Sequence, residues 1–332
     1  MKNLLNKFRT ELSQTVLDFL WAAWSQVGVM GGAAPSIPCI VDPEPMLLQT
    51  WACARQDPRV FDEALDWLVQ NGRWINVGRL TTLMKEDQVC PPSLVGAMAA
   101  FMSQHDKTPK WKTLAHRCQP KKDTVAQPLF LRQGKPLSSK GDERDETFFG
   151  YGWLRSPVRP RNQSQPLPSW TPAGLLLKSR AFFGVSIRAD VYAYLMVNGP
   201  CTASRLAREM GYSQRRVQDA LVDMQMGNAF QIRQDGNRKE YFIPAQKGWH
   251  LLFEVPPKTI RWFNWRAFGC GISKILKATQ DMKVEGLSSY IFASEFSKWM
   301  EEARGDFASA GIVLPVRMES RQLDGILRKQ LF

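Results

Sequence analysis

The chain has 332 residues, of which 44 are Lys or Arg and 31 are Asp or Glu, so its formal net charge is +13. This length accommodates two or three domains, and the charge favours an anionic partner, either nucleic acid or an acidic protein. No apolar run approaches the length that spans a bilayer, and the six Cys have neither CxxC spacing nor a His at metal-ligand spacing. We therefore expect a cytoplasmic protein without a membrane segment, a disulfide framework, a bound metal or another cofactor.

Residues 1–118 are predicted to form a helical domain. The first 29 residues have an apolar stripe at helical spacing and too many charges for a signal peptide. Asp42-Pro43 and Asp57-Pro58 each predict the start of a helix, and Asn71-Gly72 predicts an end. The proportions suggest a structural or dimerising unit similar to a winged helix, without an Arg- and Gln-rich helix to contact DNA.

A basic stretch at 107–122 contains six Lys or Arg and no acidic residue. It is either a phosphate-binding patch beside a DNA site or a solvated helix end. Residues 119–172 are rich in Pro and predict a linker or arm. An aromatic island at 148–154 is expected to dock on a neighbouring domain or a partner subunit. The arginines beside it are candidates for DNA backbone contacts or for a solvated arm: Arg155, Arg159 and Arg161.

Residues 173–255 contain the pattern that organises the chain. An apolar-faced helix follows Val185 and ends at Gly199-Pro200. Thr202 is a predicted N-cap for a short second helix, and Gly211 is expected to adopt the left-handed conformation in the turn after it. Ser213 then caps a third helix over 213–226, and two strand-like runs within 230–243 flank an Asp-Gly-Asn turn at 235–237. Three helices and a hairpin predict a winged helix-turn-helix.

The polar residues of this unit predict its chemistry. The start of the third helix presents side chains that can contact base edges in a major groove: Ser213, Gln214, Arg215, Arg216 and Gln218. The hairpin adds cations suited to phosphates: Arg233, Arg238 and Lys239. The alternative is that the same unit is a protein-docking module with a solvated basic face.

The segments AREMGYSQRRVQDAL and DGNRKEYF resemble the winged helix-turn-helix domains of bacterial transcriptional regulators. The resemblance covers about 70 residues, within 185–253, and implies binding to double-stranded DNA. A long chain with an internal winged helix is also similar, in architecture alone, to the antitoxin-repressors of bacterial phage-defence operons. That second likeness implies antiviral defence and a protein partner.

Residues 256–332 are predicted to form a C-terminal helical domain. An aromatic and basic cluster at 261–268 could stack bases of a single strand or form core with Arg at its rim. Two helices, at 287–304 and 319–331, have apolar stripes. The last helix is suited to association, either by docking within the chain or by forming a dimer.

No nucleotide-binding loop, HExxH or GxSxG pattern occurs in the sequence, so we expect no enzymatic activity. Carboxylate pairs, such as Asp42 with Glu44, are explained by helix starts or solvated faces. A metal-dependent nuclease built from distant carboxylates remains open. The predicted fold is mainly α with small β wings, in several domains. The leading hypothesis is a dimeric DNA-binding regulator, and the alternative is an interaction subunit of a defence or nucleoprotein complex.

Overall fold

A computed structural model of the chain describes residues 2–30, 35–121, 123–132, 135–137, 143–166, 171–236, 238–244, 252, 260–280 and 288–332. Over these ranges the protein is mainly helical, as predicted, with fourteen α-helices and six short strands. Lys122, Asn237 and Leu287 belong to the predicted basic stretch, hairpin turn and C-terminal helix, and they lie outside the described residues.

The N-terminal half contains six helices: α1 (Lys2–Gln26), α2 (Pro43–Cys53), α3 (Pro58–Asn71), α4 (Val77–Asp87), α5 (Pro92–His105) and α6 (Pro109–Arg117). Both Asp-Pro pairs start helices, as the sequence predicted. Asp57 caps α3 by accepting from the backbone amides of Arg59 and Val60. Asp42 precedes α2 without a capping hydrogen bond, because its carboxylate is used elsewhere.

The arm adds β1 (Gln127–Pro128), β2 (Leu131–Arg132), β3 (Lys135–Pro136), α7 (Glu146–Phe149) and β4 (Trp153–Leu154). Its aromatic island docks on the N-terminal helices, since Phe148, Tyr151 and Trp153 are buried in their core. The carboxylate of Asp66 accepts from three successive amides, at 162–164, and so holds this part of the arm against α3.

The hypothesis of DNA contacts by Arg155 is wrong. Its side chain is buried, lies over the rings of Phe130 and Phe148, and pairs with Asp62 at 2.8 Å. Arg161 pairs with the buried carboxylate of Glu63. These two arginines therefore attach the arm to α3.

The last three helices are α12 (Trp265–Gln280), α13 (Ser289–Ser309) and α14 (Ser320–Leu331). They share one hydrophobic core with the N-terminal helices, across the boundary predicted near 255. α14 packs against α1 through Leu323, Leu327 and Leu331, all buried. The terminal stripe therefore docks within the chain.

Base stacking by the aromatic cluster at 261–268 does not fit the structure. Phe263, Trp265 and Phe268 are buried, and Trp265 stacks on Phe19 with ring centroids 4.7 Å apart. The indole N–H of Trp265 donates to the Ile40 carbonyl. These rings are core, because neither face of a buried ring is open to a base.

A second core is formed by α8 (Leu175–Phe183), α9 (Ile187–Val197), α10 (Ala203–Met210), α11 (Gln214–Met226), β5 (Gln231–Asp235) and β6 (Arg238–Phe242). α8 links the two cores, since Leu177 packs in the first and Leu176 in the second. The hairpin β5–β6 is antiparallel, with Gln231 opposite Phe242. An isolated bridge joins Tyr241 to Cys201, just before α10.

Candidate nucleic-acid interface

The turn between α10 and α11 has the local structure that the sequence predicted. The Thr202 hydroxyl accepts from the Arg205 amide and caps α10. Gly211 ends α10 in the left-handed region, with φ of 67°. The Ser213 hydroxyl accepts from the Arg216 amide and caps α11. This turn fixes the direction in which α11 leaves α10.

We expect Gly211→Ala to lower the free energy of unfolding by about 2–4 kcal/mol, because a positive φ and a steric clash act together. A Cβ at this position would lie 2.5 Å from Leu83 Cδ2. Gly199→Ala is the matched control, since a Cβ there meets nothing within 4 Å. Urea denaturation measures both, and equal stabilities would contradict the packing described for the turn.

α11 has one buried and one exposed face. Val217, Ala220, Leu221 and Met224 are buried against the second core. The predicted base-contacting residues are all exposed: Ser213, Gln214, Arg215, Arg216 and Gln218. The start of α11 is thus an open surface that carries two guanidinium groups and two amides.

These side chains differ in their contacts. The Arg216 guanidinium lies over the Tyr212 ring, 5.7 Å from its centroid. The Gln218 amide donates to the Tyr241 hydroxyl at 3.4 Å and so contacts the base of the hairpin. Within the part of the chain that the structure describes, Gln214 and Arg215 have no side-chain partner, which leaves them available to a ligand.

The hairpin β5–β6 presents the other predicted cations. Arg238 and Lys239 are exposed and have no ion-pair partner among the described residues. Arg233 instead pairs across the strands with Glu240, at 2.6 Å, which offsets part of its charge. Among the side chains that the structure describes, Arg238 and Lys239 therefore have no ionic partner, and Arg233 is held by a neighbouring carboxylate.

A buried ion network lies behind this surface, and no pattern in the sequence had indicated it. Arg180 of α8 donates to Asp190 at 2.7 and 2.9 Å and to Glu44 at 2.6 and 2.9 Å. All three side chains are buried. Burial alone would raise the pKa of Asp190, but the Arg180 guanidinium holds that pKa below its ordinary value.

A second guanidinium extends the network to α4. Arg79 binds Asp42 with two hydrogen bonds of 2.5 Å and Glu44 with one of 2.7 Å. The predicted helix-start position of these two carboxylates is confirmed, since Asp42 precedes α2 and Glu44 lies in its first turn. The solvated-face alternative is wrong for both, because the carboxylates are buried and paired with arginine.

Tyr212 connects the network to the start of α11. Its hydroxyl donates to Asp190 at 2.6 Å and accepts from the Asn76 amide at 3.1 Å. Burial and the Asp190 carboxylate raise the Tyr212 pKa well above its ordinary value, so the hydroxyl keeps its proton. Arg79 also donates to the Met210 carbonyl, at 2.8 Å. The turn before α11 is therefore bonded directly to the N-terminal helices.

Comparison with protein-family models, with curated proteins and with solved structures found no match. Within the described ranges no helix is long and apolar enough to cross a membrane. Among the same residues no group of three or more His, Cys, Asp or Glu side chains could hold a metal ion.

Proposed function

We propose that this protein binds double-stranded DNA in a sequence-specific manner and acts as a bacterial transcriptional regulator. Residues 185–253 would form its winged helix-turn-helix, with α11 as the recognition helix and β5–β6 as the wing. The observation that carries the proposal is the exposed, polar start of α11, set by a capped glycine turn beside a basic hairpin. Three helices followed by a hairpin that pairs back to Cys201 support the assignment.

The side chains suit the edges of base pairs. Arg215 offers a guanidinium that can donate two hydrogen bonds to O6 and N7 of guanine. Gln214 offers an amide that matches N6 and N7 of adenine. Ser213, Arg216 and Gln218 border this pair. One N–H of the Gln218 amide donates to Tyr241, which leaves its oxygen and its other N–H for a base. Selection from a randomised 20-base-pair duplex library tests the proposal, because a recovered consensus supports specific binding and an unselective pool contradicts it.

Arg238→Ala with Lys239→Ala is expected to weaken binding to every duplex by a similar factor. Both cations are exposed on the proposed wing, and phosphate contacts carry no sequence information. The slope of log affinity against log salt should fall by about 2, because about 0.9 counterion is released per phosphate contact. Fluorescence anisotropy over a salt series measures the slope, and an unchanged slope would remove the wing from the interface.

A second candidate function is a protein-interaction subunit, such as an antitoxin or an assembly component with an acidic partner. Val222 and Met226 favour it, since they are 51% and 86% exposed on the outer face of α11. They are four residues apart and so adjoin on one helical face, and contiguous exposed apolar side chains are typical of protein-contact sites. Co-purification of an acidic partner that survives nuclease treatment would favour this function, and a mutant lacking both apolar side chains would then lose the partner.

A further inference from the structure

The exposed face of α4 lies between α6 and the start of α11. On one flank, Met84 contacts Cys118, at the end of α6, with the two sulfur atoms 3.7 Å apart. On the other flank, Arg79 and Leu83 contact the turn that precedes α11. These contacts join buried side chains and pack α4 against both the end of α6 and the turn before α11. Exposed and half-exposed residues on and next to α4 and α6 define the α4–α6 strip: Arg73, Gly78, Thr82, Lys85 and Arg117.

The α4–α6 strip is basic and open. Arg73, Lys85 and Arg117 are exposed, and no acidic residue occurs from 107 to 121. Glu86 and Asp87, at the end of α4, share the single guanidinium of Arg266, at 2.8 and 2.6 Å, which leaves one net negative charge there. The three cations of the strip exceed this charge, so the strip keeps a net positive charge towards a polyanion.

The middle of the α4–α6 strip also leaves room for a close approach. A Cβ at Gly78 would meet only the Asn76 side-chain oxygen, at 3.4 Å. Thr82 is half-exposed and has a short side chain. Small side chains therefore lie between Arg73 at the start of the strip and Lys85 near the end of α4. This arrangement suits a sugar-phosphate backbone lying across α4.

The buried network holds the α4–α6 strip in register with α11. Tyr212 and Met210 are bonded to α4 through Asn76 and Arg79. Lys110 donates to the Gly72 carbonyl, at 2.9 Å, and attaches the start of α6 beside Arg73. Because these helices are already held in place, binding DNA costs little further conformational entropy of the backbone.

We propose that the α4–α6 strip binds the phosphate backbone of the same duplex whose major groove receives α11. The inference rests on the proposed DNA-binding function and extends it beyond the winged unit. Asn76 contacts Tyr212 and Leu83 lies against Gly211, so α4 runs beside the turn that precedes α11. Lys85 follows Leu83 by two residues, a rise of about 3 Å, which keeps its charge close to that turn. The strip adds affinity without adding sequence preference.

The test compares the full chain with the triple variant Arg73→Gln, Lys85→Gln and Arg117→Gln. The matched control removes three exposed cations from the C-terminal segment: Arg317→Gln, Arg321→Gln and Lys329→Gln. Anisotropy is measured over a salt series with a duplex carrying the selected consensus and with a scrambled duplex. Thermal melting confirms that both variants remain folded.

For the strip variant we expect about tenfold weaker binding to both duplexes and a salt slope lower by about 2–3, with the preference ratio unchanged. The control variant should keep the wild-type slope within about 1. Equal slopes for the strip variant and wild type would overturn the strip while leaving specific binding by α11 intact. If the strip variant has a lower salt slope but the wild-type protein prefers neither duplex, the recognition role of α11 is overturned and the strip is supported. A wild-type protein that binds neither duplex would overturn both.

Discussion

Replacing Arg215 and Gln218 with Ala should abolish most of the preference for the cognate duplex over a scrambled one. Each good base contact contributes about 1–3 kcal/mol of discrimination, so the double change should cost roughly 2–5 kcal/mol in the specific complex. Binding to the scrambled duplex should change far less, because nonspecific affinity is dominated by phosphate contacts. Anisotropy with both duplexes measures the difference.

The control for that experiment is Arg317→Ala with Gln225→Ala, which removes the same residue types from the C-terminal segment and the far end of α11. We expect it to retain the preference. If the Arg215 and Gln218 variant keeps both its affinity and its preference, then α11 does not contact the bases, and the interaction-subunit hypothesis gains support.

Arg180→Met should lower the free energy of unfolding by about 3–5 kcal/mol, since removing one partner of a buried ion pair leaves uncompensated charge. The change would leave Glu44 and Asp190 buried while they lose four hydrogen bonds from the guanidinium. Met retains much of the side-chain volume, so the loss reports on charge more than on a cavity. Urea denaturation of the wild type and the variant measures the difference in the free energy of unfolding.

Arg321→Met provides the comparison, because Arg321 pairs with Glu319 on the surface. Surface changes of this kind alter stability by at most about 0.5 kcal/mol. A similar small loss for Arg180→Met would mean that water replaces the guanidinium, and that the network does not hold α8 and α9 to the N-terminal helices.

Features encoded within a few residues could be predicted from the sequence. The caps at Thr202 and Ser213 and the left-handed Gly211 each depend on one side chain and its nearest amides. The amphipathic pattern also identified the buried face of α11, because helical periodicity alone decides which residues share a face. The exposed start of α11 followed from the same pattern.

Features that depend on distant contacts could not be predicted in this way. Glu44 meets Arg180 across 136 residues, and the sequence around either gives no sign of its partner. Arg155 lies in a Pro-rich segment whose composition is typical of a solvated arm. It is nevertheless buried, because the arm folds back on α3. Likewise, the aromatic residues at 263–268 are core because α12 packs against α2. Periodicity shows that a face is apolar and does not identify what covers it.

Fluorescence anisotropy of the full chain tests whether the protein recognises a specific DNA sequence. It uses the region upstream of the protein's own coding sequence and a scrambled duplex, titrated over a salt series. A regulator should bind the upstream DNA at least about a thousandfold more tightly than the scrambled duplex, with a steep salt slope. Equal, weak binding to both duplexes would contradict sequence-specific recognition and would leave only a basic surface.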